Sequence, residues 1–187
     1  MLDHDKATEK QPHSLRFLTD ENPKGRKILL LDLVWTTAYR PNNVRGDGSY
    51  FDTITNHELY RTELLDKLTE EGWYIVLFTA RHKKYQEVTL KSIYDKTGGF
   101  VPDACAFAME SGQPPVTKKH NLIHGILPEL TEDRSGYLSI ESNRTTRAML
   151  KKEGILSITR EEYLSDQEEK LNITYSRIEQ FSLDLEQ

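Results

Sequence analysis

The chain has 187 residues, with 25 Lys and Arg against 30 Asp and Glu for a formal charge of −5, and one cysteine, Cys105. At roughly 150 residues per domain this is one globular domain with a remainder, long enough to bury a core without crosslinks. A lone cysteine excludes a disulfide scaffold and a four-thiolate zinc site, and the net charge argues against a broad basic face for nucleic acid. No apolar run reaches the ~20 residues of a membrane span, and the opening MLDHDKATEKQ lacks the order of a signal peptide, so a cytoplasmic protein with no membrane partner is expected.

Residues 1–26 are polar and read as a flexible or loosely docked arm. From Lys27 apolar runs alternate with amphipathic stretches, the texture of an α/β sheet. Ile28–Leu31 is uniformly apolar, as a central parallel strand should be, and ends at Asp32. Thr55 or Asn56 is placed to cap a helix carrying Leu59, Leu64, Leu65 and Leu68, with Gly72 as its stop. A second buried strand covers 73–78 and ends at Thr79. A helix through Tyr85, Val88 and Ile93 closes at Gly98-Gly99, and a weaker strand covers 104–108. Leu122, Ile123, Ile126 and Leu127 mark another helix, stopped near Pro128. A fourth strand, 137–140, ends at Glu141; a helix over 144–152 stops at Gly154, and a fifth strand covers 155–158. From Glu161 to the end, apolar residues recur at helical spacing among acidic ones, predicting an acidic amphipathic C-terminal helix over 161–187. Residues 160–187 hold eight acidic and three basic residues, so the other 159 are neutral overall and a local basic cleft is permitted.

In an open parallel sheet, ligands bind beyond the C-terminal strand ends. The polar residues expected there are Asp32, Thr79, Arg81, Lys118 or Lys119, Glu141 and Ser142. A carboxylate to attack, a hydroxyl and a cation to hold phosphoryl oxygens, and a second carboxylate for a magnesium ion are the parts of phosphoryl transfer to an aspartate.

The order ILLLDLVWT, IVLFTAR, TKK and SIESN resembles the four motifs of the haloacid dehalogenase-like (HAD) phosphohydrolases over roughly residues 27–160. Finer features are similar to the 3′-phosphatase domains of bacteriophage polynucleotide kinases: the Arg45-Gly46 loop leading to Tyr50 and Asp52, Thr79-Ala80-Arg81, Thr117-Lys118-Lys119, and the helix ending Lys-Lys-Glu-Gly-Ile. The resemblance implies a three-layer Rossmann-like parallel sheet with helices on both faces, a minimal cap and an added C-terminal helix. It makes Asp32 the nucleophile, Thr79 and Lys119 its catalytic companions with Lys118 the fallback, and Arg45, Arg81 and Lys118 substrate contacts. The implied magnesium ligands are Asp32, the Val34 carbonyl, Glu141 and Ser142.

Two positions depart from that pattern. The family's general acid/base aspartate is replaced by Val34, and the second motif-four aspartate by Ser142. General acid/base help contributes about 10²–10⁴ in rate, so a slow phosphatase or none is expected. The leading expectation is therefore a degenerate HAD-like protein that binds nucleic acid or a host protein, of the kind a phage uses as a regulator. The alternatives are an active magnesium-dependent phosphatase on a nucleotide or polynucleotide 3′ end, and a structural or assembly protein working through its C-terminal helix. The oligomeric state stays open. Trp35 beside Tyr39 could stack on a base or simply pack, and Cys105, inside an apolar strand, is expected to be inert.

Overall fold

A computed structural model describes residues 11–41 and 48–165. Eight strands and seven α-helical segments alternate along it: β1 Leu15–Phe17, β2 Ile28–Leu31, β3 Ala38–Tyr39, α1 Tyr50–Asp52, β4 Leu59–Tyr60, α2 Thr62–Glu70, β5 Tyr74–His82, α3 Gln86–Lys96, β6 Ala104–Ala108, α4 Pro114–Asn121, α5 Leu127–Glu129, β7 Tyr137–Ile140, α6 Arg144–Lys152, β8 Leu156–Ile158 and α7 Arg160–Leu164. Six strands form one sheet in the order β1-β6-β5-β2-β7-β8, parallel except for β1. Strand alternation divides the core between two faces. Ile28 and Leu30 face Leu122, Ile126 and Leu150, whereas Leu29 and Leu31 face Leu64, Leu65 and Leu68 of α2. Burial on both sides is why β2 reads as an unbroken apolar run.

The chain runs from β2 out through β5 to β6, then returns to the other side of β2 as β7. Strand order thus reverses between β2 and β7, and the residues following them, Asp32 and Glu141, flank the resulting crevice. The small antiparallel β3–β4 ribbon lies apart from the main sheet, pairing Ala38 with Tyr60 and Tyr39 with Leu59.

Three expectations are corrected. Residues 15–17, assigned to the arm, form an antiparallel edge strand on β6, and the Leu18 and Thr19 amides donate to the Asp103 carbonyl. Three residues with one half-buried leucine show no period; the free edge of β6 supplies the pairing. Residues 1–10 lie outside the described residues. The helix expected from Thr55 or Asn56 starts at Thr62, because residues 53–57 wind as one wide π turn and Leu59 is drawn into the ribbon. The second strand continues past Phe78 to His82, which carries Thr79 and Arg81 on the strand itself.

Asn143 caps α6 by accepting from the Thr146 amide at 3.0 Å, and Gly154 turns the chain out of α6 at φ +80°. Thr159 and Glu162 form a reciprocal capping box on α7. Of the expected C-terminal helix, Arg160–Leu164 is helical and residues 166–187 lie outside the described residues. Among the described residues no helix is long and apolar enough to cross a membrane.

Candidate active site

The strand β2 ends at Asp32, whose amide donates to the Ile140 carbonyl and so continues the β2–β7 ladder by one residue. Its Oδ1 accepts from Lys118 Nζ at 2.6 Å; its Oδ2 accepts from Thr36 Oγ1 at 2.7 Å and from Ser142 Oγ at 3.1 Å. Glu141, at the end of β7, accepts from Lys118 Nζ at 2.5 Å through Oε2 and from the Asn143 amide at 2.8 Å through Oε1. One buried ammonium therefore joins two buried carboxylates. Burial alone would pull Lys118 down, but Asp32 and Glu141 outweigh it and hold Lys118 above the usual ammonium range. Burial, aided by Asp32, pushes the Glu141 carboxyl up against the opposing pull of Lys118.

The site lysine is Lys118, and the assignment of Lys119 to the catalytic set is corrected. One residue is about 100° on a helix, so the two side chains of α4 diverge. Lys118 reaches inward beside the Phe78 ring, while Lys119 is half exposed and pairs with Glu153 at 2.5 Å.

The role expected of Arg81 is also corrected. Its guanidinium forms a buried fork on Glu58, with contacts of 2.6 and 3.0 Å, and donates further to Thr89 Oγ1 and the Tyr50 hydroxyl. Four of its five N–H donors are thereby engaged, and Glu58 neutralises its charge. It walls the cleft without a free face for phosphate. Thr79 is buried and its hydroxyl accepts from the Arg81 amide at 3.1 Å, fixing the strand where it enters the cleft. Arg45 lies outside the described residues.

The expected magnesium ligands, Asp32, the Val34 carbonyl, Glu141 and Ser142, share one cleft, where hydrogen bonds already engage them. Both Glu141 oxygens already accept hydrogen bonds, one from Lys118. The Ser142 hydroxyl stands 3.1 Å from both Asp32 Oδ2 and the Val34 carbonyl, sharing its proton between two oxygens assigned to the metal. Magnesium demands near-ideal octahedral oxygen geometry at about 2.1 Å, and a hydroxyl donating toward those oxygens competes with it. Among the described residues no three His, Cys, Asp or Glu side chains are grouped to hold a metal ion. Arg147 fastens this loop by donating to the Glu141 and Ser142 carbonyls.

These residues line an open hollow of about 390 Å³, with Trp35, Tyr50, Gly112 and Pro114 at its sides. Sequence reasoning missed Thr36, Glu58 and Asn143, and it placed Tyr50 only through resemblance. A threonine four residues beyond Asp32 was the one signal for Thr36; Glu58 carried none, since it stood on an expected helix. No protein-family model and no curated protein matches this chain.

Proposed function

We propose that this chain is a HAD-like domain, akin to the polynucleotide 3′-phosphatases, that has given up phosphoryl transfer and binds single-stranded nucleic acid across the mouth of its cleft. One observation carries the reading: the Ser142 hydroxyl spans Asp32 and the Val34 carbonyl, closing the oxygens a reacting centre needs into an internal hydrogen-bond network. Val34 compounds this, because an isopropyl group neither protonates a leaving oxygen nor activates water. The parts that remain, Asp32, Lys118 and Glu141, hold the strand ends together.

The mouth supports binding. Trp35 and Tyr50 line it, Tyr39 and Arg40 line the adjoining hollow that shares Trp35, and Tyr85 packs edge-on against Tyr50; Arg40 lies 5.8 Å from the Tyr50 ring centre and Lys84 4.9 Å from that of Tyr85. Aromatic faces alternating with cations suit an unpaired strand, whose bases stack and whose phosphates attract positive charge. The closed polar floor and the absence of a large insertion between Thr36 and Thr55 suit a polymer lying across the cleft more than an enclosed metabolite.

The test is fluorescence anisotropy with a labelled 12-nucleotide single strand at two salt concentrations, run beside phosphate release from p-nitrophenyl phosphate and a 3′-phosphorylated oligonucleotide with magnesium. Salt-sensitive binding without turnover is expected. Magnesium-dependent release abolished by Asp32→Asn would establish the alternative, an active phosphatase, which the retained Asp32–Lys118 contact favours.

A further inference from the structure

Trp35 is the only non-glycine residue among those described with positive φ, at 69°. That left-handed conformation is uncommon for any side chain and strained for a bulky one. The strain is locked in by its surroundings. The Trp35 amide donates to the Ala38 carbonyl at 2.9 Å, the Thr37 and Ala38 amides both donate to the Leu33 carbonyl, and Thr37 Oγ1 donates to the Asp32 carbonyl. The turn is therefore a rigid mount on the end of β2, one that a glycine would occupy at lower cost.

What the mount displays is an indole left 64% exposed. The other tryptophan, Trp73, shows how this chain treats an indole used for packing: it is 5% exposed and its Nε1 donates to Glu71 and to the Tyr163 hydroxyl. Two unfavourable features, a strained backbone and a large apolar face in water, coincide at one residue that joins none of the buried clusters among the described residues. Such an outlier points to a ligand.

Its position identifies the ligand's chemistry. Trp35 is the common wall of two hollows, the one above Asp32 and a second of about 240 Å³ that includes Tyr39 and Arg40. We infer that Trp35 is a base-stacking platform, taking the flat face of one nucleobase of a single strand whose backbone passes Arg40. This rests on the nucleic-acid reading above and adds to it a specific subsite. The indole is flanked by the Arg40 cation and the Tyr39 phenol, with Val34 and Ala38 beneath, a flat apolar face beside a positive charge that matches a base and its phosphate.

The experiment uses the full chain, the Trp35→Gly and Trp35→Phe variants, and a 12-nucleotide oligothymidylate. Labelled strand reports binding by anisotropy; unlabelled strand is titrated against tryptophan emission, in which Trp35 is the exposed emitter and Trp73 the shielded one. In the parent chain, emission should be quenched to saturation along the same curve as anisotropy. Trp35→Gly should weaken binding about tenfold or more, the worth of one lost base stack, and Trp35→Phe should recover most of it. The glycine variant should also melt about 2–4 °C higher, because the backbone strain is relieved. Equal binding by Trp35→Gly, or binding without quenching, overturns the platform and leaves the nucleic-acid reading standing. A lower melting temperature for Trp35→Gly would mean that the indole packs, and would overturn it as well. No binding by the parent chain overturns both.

Discussion

Replacing Lys118 with methionine isolates what the buried triad contributes. The side chain is 2% exposed and lies 2.6 Å from Asp32 and 2.5 Å from Glu141, which are 7% and 1% exposed. At an effective dielectric constant of about 20, a contact of that length corresponds to about 6 kcal/mol of attraction, much of it offset by dehydrating three charges. Deleting the cation removes the attraction and leaves the dehydration cost, so Lys118→Met should lose about 3–5 kcal/mol in urea unfolding at pH 7. The loss should shrink at pH 5. Without the ammonium, burial and the neighbouring Asp32 carboxylate raise the Glu141 carboxyl further above its unfolded value, with no lysine to oppose them. A raised carboxyl supports the folded state at low pH and ceases to do so as pH climbs through its folded value. In the parent chain the raised Lys118 has the same sign: its contribution is complete below about 10.5 and fades as pH rises through the folded value. Lys119→Met is the matched control one residue along, and its half-exposed ammonium paired with Glu153 at the surface should be worth about 1 kcal/mol. Equal losses for the two lysines, or a Lys118→Met loss that does not change between pH 7 and pH 5, would refute the triad.

Three further outcomes follow from the same geometry. Val34→Asp alone should leave p-nitrophenyl phosphate turnover within about tenfold of background, because the Ser142 and Glu141 hydrogen bonds remain; a gain of 10² or more, the scale of general acid/base help, would overturn the reading that these bonds close the site. Arg81→Ala strands Glu58 in the interior and should cost about 3–5 kcal/mol in chemical unfolding, with Arg81→Ala/Glu58→Gln recovering part of it; a stability unchanged by Arg81→Ala would return the arginine to the role of a free phosphate contact. Burial pushes the Cys105 thiol up to about 12, so at pH 8 it should resist a disulfide reagent until urea unfolds the chain, and rapid labelling of the native protein would contradict its place in β6.

Some of this was legible in one dimension because it depends on local pattern. Unbroken apolar runs mark strands buried on two faces, glycines such as Gly154 mark chain reversals, and a polar residue directly after each run marks a strand end. Those signals locate Ile28–Leu31, Ala104–Ala108 and Tyr137–Ile140, and they put Asp32 and Glu141 on one crevice. The three-residue β1 escaped because its pairing partner lies some 90 residues away and its own pattern is too short to register.

What lies between the strand ends required tertiary structure. Two adjacent lysines are equivalent in sequence, and only the seating of α4 against the sheet turns Lys118 into the core and Lys119 into solvent. Arg81 reads as a ready phosphate ligand until the chain brings Glu58, 23 residues earlier, into a fork with it. Composition counts both charges, but distance decides that they cancel. Sequence by itself determined the central parallel strands, the position of the crevice and the presence there of Val34 and Ser142 beside Asp32 and Glu141. The fold decided which charges are already spent on one another, because electrostatic partners are chosen by ångströms in space.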